Sequence, residues 1–214
     1  MVQVINLKDC CMLTRKTILI LMVSTLLLTG CRSNKPVTTS FFLVEYPSDP
    51  PTPDTMKVLP YVLELAEVIV NPAYASPQIA IREGEQELQY FANNQWAVRP
   101  AQGFAGFIEQ YFADNRVFTQ TQTRFWNLQP DYRLQTTVRN LEVVRERRDF
   151  YARLHLEFRL ETADGELIER YVTDNRRLLE SRNLNLFTVA VNNIFFEELN
   201  YFARKIHFGL SPAE

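Results

Sequence analysis

From Ala152 to Glu161 the chain alternates without a break. Ala152, Leu154, Leu156, Phe158 and Leu160 fall on one parity; Arg153, His155, Glu157, Arg159 and Glu161 fall on the other. Successive side chains of a strand point to opposite faces, so this run predicts a half-buried antiparallel strand. The same period runs through Tyr132, Leu134, Thr136 and Val138 against Arg133, Gln135, Thr137 and Arg139. The charged stretch Arg145–Asp149 (RERRD) is the expected tip between the two strands. Asp164-Gly165 then signals a tight hairpin into a further strand, Leu167–Thr173.

Those strands need apolar cover, and two segments with helical period supply it. Phe104, Phe107, Ile108, Tyr111 and Phe112 recur at three- and four-residue steps within Ala101–Asn115. Phe187, Val191, Phe195, Leu199, Phe202 and Ile206 do the same near the C-terminus, with Asn193, Glu197, Asn200 and Arg204 opposite. Further strands are expected at Phe41–Tyr46, at Tyr61–Val70, at Gln78–Arg82 and Glu87–Phe91 as a hairpin around Glu83-Gly84, and at Arg116–Thr121. Pro47–Pro60 carries five prolines and reads as a loop. The expected fold is one α+β domain over residues 41–210, a mainly antiparallel sheet with two amphipathic helices packed on one face.

The N-terminal region follows a different pattern. Thr17–Leu28 (TILILMVSTLLL) is uncharged and follows Lys8, Arg15 and Lys16. As a helix it would reach about 18 Å, well short of a ~30 Å hydrocarbon core. A basic start, a short apolar stretch and small residues at its end describe a secretory signal better than a membrane span. Leu28-Thr29-Gly30-Cys31 resembles a bacterial lipobox. That resemblance implies a diacylglyceryl group on the Cys31 thiol, cleavage before Cys31, and acylation of the new amine. Residues 1–30 are then the signal, and residues 31–40 the lipidated terminus and a polar tether. The competing reading is an incidental cysteine after an uncleaved signal anchor. Met12 also starts a compact signal by itself, so Met1 and Met12 are alternative starts.

Removing residues 1–30 takes away Lys8, Arg15, Lys16 and Asp9, so the formal charge moves from −2 to −4. A mildly acidic chain of this kind has no electrostatic case for nucleic acid. Cys10 and Cys11 leave with the signal and Cys31 is lipidated, so no thiol is left for a disulfide or a metal site. No cofactor is expected beyond the covalent lipid on Cys31. The chain holds no HExxH, CxxC, GxSxG or glycine-rich phosphate loop. His155 lies on the polar parity of its strand and His207 near the last helical turn, and both are expected to be solvated or hydrogen-bonded. The acid pairs Glu197-Glu198 and Asp164/Glu166 are explained as solvated faces. Arg145, Arg147 and Arg148, with Arg176-Arg177, could meet an anionic headgroup or acidic partner; a charged tip that stays soluble and guards a sheet edge is the preferred reading.

The stretch Asn71–Pro100 (NPAYASPQIAIREGEQELQYFANNQWAVRP) carries a more specific signal. Together with the aromatic strand at Phe41, Phe42 and Leu43, it resembles the ABC-type transport auxiliary lipoproteins, a family that includes the lipoprotein of the paraquat-inducible system. The points of contact are Tyr74, Pro77-Gln78-Ile79, Arg82, Glu87-Leu88, Tyr90, Trp96-Ala97 and Pro100, then Val117-Phe118. Asn93-Asn94-Gln95 departs from the more charged residues expected before Trp96. The resemblance implies a periplasmic accessory of a transporter built from a permease, an ATPase and a mammalian-cell-entry (MCE) component, moving phospholipids or other hydrophobic molecules. It implies no catalytic residues, so the expected protein is not an enzyme. It is also compatible with a homo-oligomeric ring.

Cys31, as the lipidation site, is the one functional residue the resemblance transfers. Trp96 is a core-or-interface candidate. Arg32 follows Cys31, so there is no Asp at the position that resembles the inner-membrane retention signal, and outer-membrane placement is expected. Two rivals remain at this level. One is an envelope-assembly or lipid-binding lipoprotein regulating another membrane complex. The other is a small hydrolase, which requires a deep pocket with clustered His, Asp or Ser.

Overall fold

The two alternating runs form the central hairpin of the sheet, and the rest of the chain is arranged around it. The computed structural model describes residues 38–50, 57–123 and 129–211. Leu28, Thr29, Gly30, Cys31, the whole 1–30 signal, most of the 31–40 tether and part of the proline loop lie outside the described residues. In chain order the elements are β1 (Ser40–Phe42), β2 (Leu59–Leu65), β3 (Ile69–Val70), a 3-10 turn (Pro72–Tyr74), β4 (Gln78–Arg82) and β5 (Leu88–Trp96). Then come α1 (Pro100–Asn115), β6 (Phe118–Gln122), β7 (Tyr132–Glu146), β8 (Asp149–Thr162), β9 (Leu167–Leu179) and α2 (Leu184–Leu210).

At 15 residues, β7 is about 50 Å long. One edge is paired antiparallel with β8, which in turn pairs with β9. Three short strands dock in series along the other edge, all parallel to β7. Leu63–Leu65 lies beside Tyr132–Leu134, Ile69–Val70 beside Thr137 and Val138, and Ala80–Arg82 beside Glu142–Val144. β6 extends the sheet from β2; β5 and then β1 extend it from β4. The fold is therefore α+β on a mixed sheet, whose long ladders are antiparallel and whose short ones are mostly parallel.

The strand expectations are corrected at several points: β5 runs on to Trp96 and β9 to Leu179, past the expected Phe91 and Thr173, and three others differ more. Tyr61–Val70 is two strands, because Ala66–Val68 leave the ladder and Val68 turns into the core. Phe41–Tyr46 is in the sheet only as far as Phe42. Beyond it Val44 is buried against α1, where a Cβ on Gly103 would come 3.1 Å from the Val44 Cβ, and Tyr46 stacks edge-on to Phe107 at 5.3 Å. β7 continues seven residues past the alternating run. Val138 pairs with Leu156 and Asn140 with His155, so Arg139 is an extra residue, a β-bulge. The bulge reverses parity: Leu134 and Val138 face the helices before it, Leu141 and Val143 after it.

The helices form as their stripes predict. α1 opens with Pro100 in its first turn, where a missing N–H costs nothing, and ends on Arg116 in the left-handed region (φ 45°), whose N–H bonds the Phe112 carbonyl. The Asn183 side chain caps α2 by accepting from the Asn185 N–H at 2.8 Å. Every residue of both expected stripes is buried. The helices meet through aromatics, with Phe195 4.6 Å from Phe104 and 4.8 Å from Phe107 between ring centroids. α2 packs on β8 through Phe158, stacked on Phe202 at 5.2 Å. Its seam with β9 adds polar contacts to the Tyr171–Tyr201 ring pair: Glu198 accepts from Tyr171 and Asn175, each at 2.6 Å, and Lys205 reaches Glu169 at 2.9 Å. Among the described residues no helix is long and apolar enough to cross a membrane.

Candidate functional site

The sheet face away from the helices carries charge, and its centre is closed over by the segment Asn71–Ser76. The Asn71 side chain accepts from the Ala73 N–H at 3.0 Å, which shapes the turn, and Tyr90 donates to the Ala73 carbonyl at 2.9 Å. Tyr74 is thereby laid over β7. Its hydroxyl donates to Glu142 at 2.6 Å and accepts from Arg82 and Asn140, each at 2.9 Å. Glu142 is 0 % exposed. It also takes the Arg82 Nε at 3.0 Å, the Asn140 amide at 3.3 Å and Arg153 at 3.1 Å. Arg153 then forks onto Asp174 at 2.7 and 2.9 Å.

The bulge at Arg139 makes this cluster. By the parity of Leu134 and Val138, Glu142 would point into the helix-side core; the extra residue moves it to the charged face beside Arg153. A buried carboxylate survives only with partners on every oxygen, and here two arginines, a phenol and an amide provide them. Burial, reinforced by the bond to Glu142, raises the Tyr74 pKa above that of an ordinary phenol. The bond to Glu142 likewise raises Arg82. With no exposed oxygen, Glu142 cannot meet a substrate; the cluster clamps the turn to the sheet.

Two other carboxylates on this face, Glu157 and Asp174, have lowered pKa values. Glu157 is bonded by Arg139 and, at 2.7 Å, by Arg170. Its pKa is lowered by those two bonds, Arg139 first. Asp174 is lowered mainly by Arg153. Depressed folded-state values mean that this stabilisation is present above the ordinary carboxylate range and is lost as pH falls through the depressed values. Thermal melts from pH 7 downward should therefore show the midpoint falling below about pH 4. A Glu157→Gln, Asp174→Asn double variant should fall less steeply than the wild type, and parallel curves would contradict this assignment.

The other candidate residues are scattered. Trp96 is 3 % exposed in the core, 5.9 Å from the Phe187 ring, and its backbone N–H donates to the Pro77 carbonyl. Arg147 (φ 58°) and Arg148 form the two-residue turn between β7 and β8 and are exposed. Arg145 is instead engaged, bonded to Glu83 at 3.1 Å and lying over the Phe150 ring with Arg182. His155 lies 3.9 Å from Asp174, beyond hydrogen-bond reach of a carboxylate that Arg153 already occupies. His207 is buried and donates from Nε2 to the Lys57 carbonyl at 2.7 Å. Neither histidine ring is hydrogen-bonded to a nucleophilic side chain among the described residues. Among the described residues, no group of three His, Cys, Asp or Glu side chains could hold a metal.

The Asn71–Pro100 pattern pointed at Tyr74 and Arg82 but not at their partners. Glu142, Asn140 and Arg153 were missed because they lie on distant strands. The one local trace was a charged residue set between Leu141 and Val143.

The described residues thus form an α+β domain with two helices on one face of a mixed sheet and a buried ionic clamp on the other. The family model for the ABC-type transport auxiliary lipoprotein component matches residues 43–191, and the chain belongs to that family. Among solved structures, protein XCC0632 from Xanthomonas campestris, assigned to DUF330, superposes with a TM-score of 0.65 at 16 % identity, over 81 % of this chain and 94 % of that one. A second, uncharacterised protein superposes at 0.62 and 14 % identity, over 79 % and 99 %. These likenesses show the fold. No curated protein matches the chain.

Proposed function

We propose that this chain is a periplasmic accessory lipoprotein of an ABC/MCE-type transport system that moves lipids or other hydrophobic molecules through the cell envelope. It is anchored through acylated Cys31 to the outer membrane and acts by docking to the transporter's MCE-domain component. The match to the auxiliary lipoprotein family over residues 43–191 carries this reading. The lipobox-like Leu28–Cys31 and the absence of Asp after Cys31 support the anchor and its membrane. The exposed, charged β7–β8 tip with Arg147 and Arg148 is available for a partner. Homo-oligomer formation is compatible with the docking and is read by light scattering of the purified protein.

The test is affinity purification from crosslinked membranes with Cys31 intact. Co-recovery of an MCE-domain protein with its permease and ATPase is the expected result. Recovery of none of them overturns the transport role, and recovery of an envelope synthase or assembly factor would favour a regulatory lipoprotein. On a density gradient the protein should migrate with outer membrane; migration with inner membrane overturns that placement.

A further inference from the structure

The end of the domain where the tether arrives is apolar on its outer side. Phe42 and Val44 point inward, so the strand parity turns Phe41 and Leu43 outward, and Phe41 is 64 % exposed. Val98 is exposed in the adjoining loop, placed there by the Ala97 N–H bonding the Phe42 carbonyl at 2.7 Å. Val189 is exposed on α2, one turn before Asn192, whose side chain bonds the backbone on both sides of Val44 (the Leu43 carbonyl and the Glu45 N–H). Large apolar side chains grouped at one end of a polar domain mark a contact surface.

The chain itself indicates what covers it. Nine residues lie between Cys31 and Phe41, a length of chain that spans at most about 35 Å when fully extended. The intervening segment carries Arg32 and Lys35 and no acid, and the exposed Arg99 sits beside Val98. Basic residues that neighbour apolar ones in the chain suit a phospholipid surface, where cations meet headgroup phosphates and apolar side chains enter the interface. A short tether raises the effective concentration of that surface to the millimolar range, so weak insertion is enough. Resting on the Cys31 anchor reading above, we propose that Phe41, Leu43, Val98 and Val189 form a bilayer-docking patch. It seats the domain on the phospholipid surface of its own membrane and so fixes which face is turned toward the transporter.

The test uses the acylated mature protein, which on this reading has no free thiol, so one introduced cysteine takes one spin label. Phe41→Cys, Leu43→Cys and, as a control, Phe208→Cys are reconstituted into vesicles of phosphatidylethanolamine and phosphatidylglycerol. Phe208 is exposed on α2, 19 residues or about 28 Å along the helix from Val189. Oxygen access relative to a water-soluble nickel chelate should be several-fold higher at 41 and 43 than at 208. Adding Phe41→Glu and Leu43→Glu to a Val98→Cys label should return that site to water-like access with an unchanged melt. Equal, water-like access at 41, 43 and 208 in protein that floats with the vesicles overturns the docking alone. An immobilised label at 41 without raised oxygen access also overturns it, in favour of a second copy or a protein partner. A Cys31 peptide without acyl mass overturns the anchor, and the docking with it.

Discussion

Glu142→Ala should be among the most damaging single changes in this domain. It leaves Arg82, Arg153, Asn140 and the Tyr74 hydroxyl facing an empty site under the Asn71–Ser76 turn. Removing one partner of a buried ion cluster costs about 3–5 kcal/mol, because the remaining charges stay desolvated. At 2–4 °C per kcal/mol for a domain of this size, the melting midpoint should drop by roughly 10 °C. Glu142→Gln keeps an acceptor and the shape, and should cost less. Tyr74→Phe removes only a hydroxyl and should cost about 1–3 kcal/mol. Calorimetry on the three variants ranks them. An alanine variant within about 1 kcal/mol of wild type would mean that water replaces the carboxylate, and that the turn does not depend on the clamp.

Phe195→Ala should be as severe for a different reason. The ring is fully buried where both helices meet the sheet, within 4.6 Å of Phe104, 4.8 Å of Phe107 and 6.0 Å of Phe158. Truncating it leaves a cavity that three large rings cannot collapse into without leaving their rotamers, at a cost of about 3–5 kcal/mol. Urea titration should show the midpoint fall with the slope unchanged. Phe195→Leu should recover much of the loss, and Val189→Ala on the exposed side of the same helix should stay within about 0.5 kcal/mol. A small effect from Phe195→Ala would place the α1–α2 contact outside the stabilising core.

The two predictions separate what was legible from what was not. The Phe195 site could be read directly, because a helix that buries one face must repeat apolar residues every three or four positions. Both stripes did so, and every residue of both is buried. The β8 alternation was legible for the same reason. The Glu142 site was not, because its partners other than Asn140 are 11 to 68 residues away in the chain and no local period links them. The bulge at Arg139 hid it further by breaking the alternation just where β7 crosses to the charged face. The parallel docking of β2, β3 and β4 along one edge of β7 was likewise invisible, since a short strand looks the same whichever way its neighbour runs.

The sequence by itself determined the elements that carry their own period, the α+β class, the two helix stripes, the central hairpin with a charged tip within Arg145–Asp149, and the resemblance to the auxiliary lipoprotein family; the structure narrows that tip to Arg147 and Arg148. Each of these is a local pattern, set by side chains a few positions apart on one element. Only the tertiary structure decided that the sheet is mixed, that Trp96 is buried against Phe187, and that Tyr74 and Arg82 converge on Glu142. It alone left Phe41 and Leu43 outside the core. Pairing direction, burial and the satisfaction of a buried charge depend on which distant segments meet, and a one-dimensional pattern does not carry that information.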